Sequence, residues 1–485
     1  MSDLRRSFRP GETAPAPRSR SIVWTLLGLA AGAVTAFAVL EAGALPREAG
    51  FMAGIFVTAA LLWITEAIPL FATSLLVLGL QSVLLANPGG WAGLGFAAGD
   101  GPTFRALVQE AADPILLLFL GGFLLARAAV KTGADRSLSG LLLRPFGTQP
   151  HRILLGVMLV TLFFSMWMSN TATTALMLAL LNPLLSVIPA GDPFRKTLVL
   201  SVPLAANIGG MGTPIASPPN AIAVGYLSQE GRPIAFFTWM FVAVPVMLIL
   251  VATAWKLLRR RFPSRIANLD FDPALVPLTP RGRWVTVVGA ATLLLWITDS
   301  AHGLPAPLVA LLAVLVLIVS GMIGTDDLAG VDWGVLILIA GGISLGTGMQ
   351  RVGLDRAIAE ALPLSGAGPS VLLAVLMLVT LVLGPFMSNT AIATLLIPVG
   401  LAAAGGASAH PTGVPLVGSI TLAIALCASL TMALPSSTPP NAMAYATREF
   451  STRDLLQVTL PVSGLGGVLI FLVCRFVLHW LPGMR

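Results

Sequence analysis

Two tripeptides concentrate the polar chemistry of an otherwise apolar chain: Ser169-Asn170-Thr171 and Ser388-Asn389-Thr390. Each offers two hydroxyls and a carboxamide, whose oxygens suit a small cation and whose donors suit a carboxylate without any formal charge. Both sit between apolar arms. The run from Ile153 to Trp167, about 22 Å of helix, stops short of a hydrocarbon core of roughly 30 Å, and apolar residues resume after the polar tip as far as Ile188. Val371 to Phe386 and Ala391 to Ala402 repeat the pattern around the second tripeptide. Short arms around a polar tip predict re-entrant helical hairpins over 153–190 and 370–404. One such motif reads equally well as a continuous membrane helix with a polar contact patch. Two in equivalent positions favour tips that line a site, since irregular backbone at membrane depth is tolerated only where it is buried in protein or faces a cavity.

A second pair accompanies them. Gly209-Gly210-Met-Gly212-Thr213-Pro214 with Ser217-Pro218-Pro219-Asn220 is matched by Thr431-Met-Ala433-Leu-Pro435 with Thr438-Pro439-Pro440-Asn441. Proline removes a backbone donor and glycine relaxes φ, so each stretch is expected to unwind its helix, over 197–227 and 414–446. Freed carbonyls suit sodium; freed amides and the positive ends of half-helices suit a carboxylate.

The elements that position these motifs must be membrane helices. Of the 485 residues, 56% are hydrophobic and 10% charged, and the mean hydropathy is +0.90, too apolar for a soluble surface. The net charge of +7 collects in loops, which reports orientation rather than a nucleic-acid partner. Arginines in the tail (1–20) and the cluster Lys256, Arg259, Arg260, Arg261, Arg265, Arg281 and Arg283 both read as cytoplasmic, with linker 258–283 joining two halves. The halves are a duplication. Met168-Ser-Asn-Thr-Ala returns 219 residues on, Gly121-Gly122 with Gly133, Asp135 and Arg136 returns at 220, Pro218-Pro-Asn-Ala at 221, and Leu61-Leu-Trp-Ile-Thr-Glu66 as Leu294 to Asp299 at 233. A first helix (21–44) precedes repeat 1 (50–257) and repeat 2 (284–480). Five crossings per repeat would give opposite orientations: an all-α membrane protein of about 11 transmembrane helices in an inverted-topology repeat, with Arg485 outside. No metal-ligand spacing, catalytic triad or Walker A motif supports an enzyme or an ATP-driven pump. Cys427 and Cys474 read as packing residues, and His410 as a loop residue. Glu66, Asp113, Arg127 and Asp299 near span ends read as interfacial or structural charges, with a proton site as the alternative.

At these residues the sequence resembles the divalent anion/sodium symporter family, from about residue 22 onward, most specifically in Ser169 to Thr174, Ser388 to Thr390, the two Pro-Pro-Asn stretches and Trp63 to Pro69. That resemblance implies a homodimer working by an elevator mechanism in a bacterial inner membrane. It implies sodium-coupled symport of a small dianionic C4-dicarboxylate, with Na+ as the coupling ion; sodium-independent exchange and sodium–sulfate symport stay open. It places one sodium site at Ser165, Ser169, Asn170 and Gly212 and another at Ser388, Asn389 and Ala433. Substrate contacts fall on Asn170, Thr171, Thr213, Asn389, Thr390 and Pro435. Where dicarboxylate carriers place a threonine ligand, this chain has Gly384, so the second site is expected to lack a hydroxyl and to be the weaker.

Overall fold

The computed structural model describes residues 18–43, 45–95, 102–269, 276–361, 368–407 and 416–478. Most of the expected tail, the middle of the 258–283 linker, positions 414–415, His410 and Arg485 lie outside them. Every regular element among the described residues is helical. Eight of these helices are long and apolar enough to cross a bilayer, from Ser21–Ala42 to Thr452–Val477. These eight include Asn170–Val187 and Pro369–Phe386, which the sequence assigns to hairpins, and leave out the broken helices and the shorter Leu70–Leu84 and Ala306–Val319, of 15 and 14 residues, which the expected eleven takes as crossings.

Local chemistry sets many of the helix starts. Proline occupies the first turn at Pro150, Pro193, Pro218, Pro280, Pro369 and Pro439, where its missing N–H would have no intrahelical partner anyway. The recurring Gly-x-Asp-Arg block is a helix entry. Gly133 and Gly353 both adopt φ of +72°, a left-handed turn open to glycine, and lead into the short helices Ala134–Leu143 and Leu354–Ala361 with an aspartate in the first turn.

The repeats interlock by close backbone approach. A Cβ added to Gly121 would come 2.6 Å from Ala310 Cβ, so helix Ile115–Thr132 of repeat 1 lies directly on Ala306–Val319 of repeat 2. Reciprocally, a Cβ on Gly341 would come 2.3 Å from Ser74 Cβ, seating Trp333–Arg351 on Leu70–Leu84. Gln81 and Ser344 tie the second contact, with the Ser344 hydroxyl donating to Gln81 Oε1 at 2.6 Å and Gln81 Nε2 to the Ser344 carbonyl at 3.0 Å. Large apolar side chains such as Leu294, Leu378 and Val468 stay exposed, as expected of a surface solvated by lipid.

Two of the span-end charges turn out to be structural. Asp113 Oδ1 accepts the Ile115 N–H at 2.8 Å, and Arg127 Nε lies 3.4 Å from Asp327, whose other oxygen meets Lys131 Nζ at 2.5 Å. The ammonium of Lys131 holds the Asp327 carboxyl below its ordinary range. A depressed carboxyl contributes stability that is fully present above its unfolded pKa of about 4 and is lost as pH falls from there through the lower folded value. Because Arg127 and Lys131 are nearly half exposed, the contribution is at most about 1 kcal/mol. Asp327→Asn is therefore expected to lower the thermal midpoint by about a degree at neutral pH, with the gap from wild type closing on acidification below about pH 4. An unchanged gap across that range would separate the loss from titration of this carboxyl.

Candidate functional site

The first paired helices, Pro150–Ser165 and Asn170–Val187, meet at a four-residue turn. Ser169 caps the second of them, its Oγ accepting the Ala172 N–H at 3.2 Å. At the end of the first, fully buried Ser165 sets its Oγ 2.7 Å from Asn170 Oδ1 and 2.7 Å from the Ala206 carbonyl. The broken helix Pro193–Gly209 / Pro218–Gln229 runs alongside, with 210–217 outside helical form. Glycine is required there. A Cβ on Gly210 would sit 2.6 Å from Asn170 Nδ2, and one on Gly212 would sit 2.6 Å from Met166 Cγ. Thr213, also fully buried, donates to the Met166 carbonyl at 2.6 Å, so Ser165, Asn170, Gly212 and Thr213 gather at this tip. Thr171 is half-buried in the first turn beside them.

The second repeat has the same plan. Helices Pro369–Leu383 and Asn389–Ala407 are joined through a 3-10 turn at Gly384–Phe386, and Ser388 Oγ accepts the Ala391 N–H at 3.1 Å. Asn389 and Thr390 are half-buried at the tip. The broken partner is Leu416–Ser429 / Pro439–Ala446, whose intervening segment carries Thr431, buried Ala433 and Pro435. Thr431 Oγ1 lies 2.7 Å from Asn389 Oδ1 and 2.7 Å from the Ala428 carbonyl. Position 384 carries no hydroxyl, as the sequence implies, but that contact sets the hydroxyl of Thr431 beside Asn389. A Cβ at Gly384 would fall 2.1 Å from Thr431 Cγ2, so the threonine's volume lies across the chain rather than at position 384.

Freed carbonyls in both broken helices have dedicated donors. Asn220 Nδ2 donates to the carbonyls of Gly210 at 2.9 Å and Thr213 at 2.8 Å, and Asn441 Nδ2 to those of Met432 and Leu434, both at 2.9 Å. Trp239 Nε1 donates to the Met211 carbonyl at 2.9 Å. Asn207 then joins the repeats, its Nδ2 lying 3.1 Å from Asn441 Oδ1 and 3.2 Å from Thr438 Oγ1. The second half of each broken helix packs against the other repeat, Pro439–Ala446 on Asn170–Val187 and Pro218–Gln229 on Asn389–Ala407.

The sequence gives Asn207 no role and marks Thr431, Asn220 and Asn441 only as part of the paired unwound stretches. The recurring Pro-Pro-Asn pointed to the last two, whereas the position 221 residues after Asn207 is Ala428, so no repeat signal marks that bridge. The remaining span-end carboxylates touch this region. Glu66, in left-handed conformation with φ of +47°, lies near the Ser388 backbone, and Asp299 Oδ2 accepts the Phe236 N–H at 3.0 Å beside the stacked rings of Phe236, Trp296 and Trp167.

This arrangement gathers neutral oxygens and amides, groups that suit small ions without formal charge. The profile of the citrate transporter family matches residues 60–417. The sodium-dependent dicarboxylate transporter SdcS of Staphylococcus saprophyticus is 31% identical over 468 residues, covering 87% of this chain and 86% of the relative. The inorganic phosphate transporter PHO87 of Saccharomyces cerevisiae is 32% identical over 432 residues, 87% of this chain but 45% of that longer protein. In three dimensions the chain is similar to the YdaH transporter of Alcanivorax borkumensis, with a TM-score of 0.55 at 14% identity over 86% of this chain and 97% of that one.

Proposed function

Since the chain belongs to the citrate transporter family, of the divalent anion/sodium symporter type, we propose that it carries small dianionic C4-dicarboxylates across a bacterial inner membrane by symport with Na+. It is a multi-pass secondary transporter and not an enzyme. Each asparagine-centred tip, with the unwound segment facing it, is a cation site: Ser165, Ser169, Asn170 and Gly212 in one repeat, Ser388, Asn389 and Ala433 in the other. The substrate carboxylates are taken by Asn170, Thr171, Thr213, Asn389, Thr390 and Pro435. A bound cation offsets the cost of bringing a dianion into apolar surroundings, so the loaded site crosses and the half-loaded one does not. The tips behave as re-entrant hairpins of an inverted repeat, in a homodimer whose transport domains move elevator-fashion against the close-packed Gly121 and Gly341 helices.

The observation that carries this reading is the paired contact of Asn170 Oδ1 and Asn389 Oδ1 with a buried hydroxyl at 2.7 Å, because each groups neutral oxygens at the end of a broken helix. The relative named a sodium-dependent dicarboxylate transporter supports the choice of ion and substrate. A second reading, inorganic phosphate as substrate, is favoured by the yeast relative; sodium–sulfate symport and sodium-independent exchange are the other outcomes. Labelled succinate uptake into proteoliposomes is expected to require an inward sodium gradient and to be competed by malate and fumarate. Sodium-indifferent uptake accelerated by internal succinate would make the protein an exchanger. Uptake of phosphate or sulfate unaffected by excess succinate would overturn the substrate.

A further inference from the structure

Between the two repeats one hydroxyl has changed sides. In repeat 1 it belongs to the paired helix: Ser165 Oγ lies 2.7 Å from Asn170 Oδ1. The facing residue of the broken helix is Gly210, and a Cβ there would press within 2.6 Å of the Asn170 amide nitrogen. In repeat 2 the residue 219 positions after Ser165 is Gly384, and the residue 221 positions after Gly210 is Thr431. Thr431 Oγ1 makes the 2.7 Å contact with Asn389 Oδ1, while its methyl group fills the space that a side chain at 384 would need. Each hydroxyl also has a backbone carbonyl at 2.7 Å, Ala206 in one case and Ala428 in the other. Serine opposite glycine has become glycine opposite threonine, with the same three kinds of oxygen brought together.

We propose that Thr431 supplies the hydroxyl ligand of the second cation site, replacing the side chain absent at Gly384; this rests on the reading of the two tips as sodium sites. A hydroxyl has one proton and two lone pairs. With its proton given to the Ala428 carbonyl, Thr431 turns a lone pair toward the same space as Asn389 Oδ1, as Ser165 does beside Asn170. The second site then has its full complement of neutral oxygens. It also follows that restoring a threonine at 384 damages the site, because two side chains would compete for one volume.

Sodium titrations of succinate uptake in proteoliposomes, with choline as the balancing cation, test the assignment. They are paired with sodium titrations of thermal unfolding in detergent, which need no transport. Thr431→Val keeps the shape and removes the oxygen, and is expected to raise half-saturating sodium roughly tenfold or more in both assays while uptake recovers at saturating sodium. Thr431→Ser should titrate like wild type. Gly384→Ser alone should lose function, and Gly384→Ser with Thr431→Gly, which installs the repeat 1 arrangement in repeat 2, should regain it with near-wild-type sodium dependence. A Thr431→Val protein whose sodium titration matches wild type, or whose maximal uptake falls without a shift in half-saturation, would reduce Thr431 to packing and overturn the proposal. If Thr431→Val does not fold, the double variant decides: sodium dependence like wild type supports the assignment, and a folded double variant shifted tenfold overturns it. Wild type that ignores sodium in both assays would instead overturn the sodium reading, and this ligand with it.

Discussion

Asn170→Ala and Asn389→Ala are each expected to cut uptake at least about a hundredfold while the protein still inserts and folds. Each carboxamide sets its Oδ1 2.7 Å from a hydroxyl, of Ser165 or Thr431, and has an amide nitrogen left to donate. In repeat 1 the fit is tight enough that Gly210 has no room for a Cβ beside that amide. In the proposed site, removing the carboxamide deletes one contact to a cation and one to a carboxylate, each worth about 1.5 to 3 kcal/mol when the partner is charged, which together exceed two decades in rate. Folding should be spared because both asparagines are only half-buried, so alanine leaves a solvent-accessible notch rather than a sealed cavity. Uptake by reconstituted variants, normalised to protein recovered in the membrane, measures the effect, with His410→Ala as the control expected to transport normally. Wild-type uptake by either asparagine variant would remove both tips from the site.

Much of this arrangement was legible because the chain states it twice. The recurrence of Ser-Asn-Thr and of Pro-Pro-Asn singles out the tips and the broken helices, and Gly/Pro chemistry explains why helical form stops after Gly209 and does not run through Pro435. Composition settled the all-helical class, since apolar runs without alternation leave no other way to satisfy backbone amides in lipid. Less legible were the short helices. Phe104–Ala111 and Thr325–Ala329 are too short and too polar to register as apolar runs. Least legible were contacts that depend on which atoms meet across distant segments. Asn207 has no counterpart in the other repeat, and the part played by Thr431 emerges only when Gly384 and Gly210 are seen to face the chain that fills their space. Reading Gly384 by itself predicts a lost ligand; reading it against Thr431 predicts a ligand moved.

The largest stability effect is expected at Asn441. Carbonyl oxygens only accept, so the contacts at 2.9 Å with Met432 and Leu434 fix the amide nitrogen toward them and turn Oδ1 toward Asn207, which donates at 3.1 Å. Asn441→Leu, similar in size, would leave the buried Met432 carbonyl without that donor and the Asn207 amide with Thr438 Oγ1 alone, while the Leu434 carbonyl keeps the N–H and hydroxyl of Ser437. At about 1 to 3 kcal/mol for a buried group left unsatisfied, the Met432 carbonyl alone costs about 1 to 3 kcal/mol, a sizeable share of a typical stability of about 5 to 15. Asn220 makes the equivalent carbonyl contacts at 2.9 and 2.8 Å, yet its Oδ1 is buried without a protein partner. Asn220→Leu should therefore cost less, because it frees an oxygen that was unpaired to begin with. The ordering expected in thermal unfolding and in folded yield is wild type, then Asn220→Leu, then Asn441→Leu. Asn207→Leu combined with Asn441→Leu should be less destabilising than the sum of the two single changes, since their shared hydrogen bond can be lost only once. Strict additivity, or an Asn220→Leu protein weaker than Asn441→Leu, would mean that the bridge between the repeats contributes nothing to holding the broken helices together.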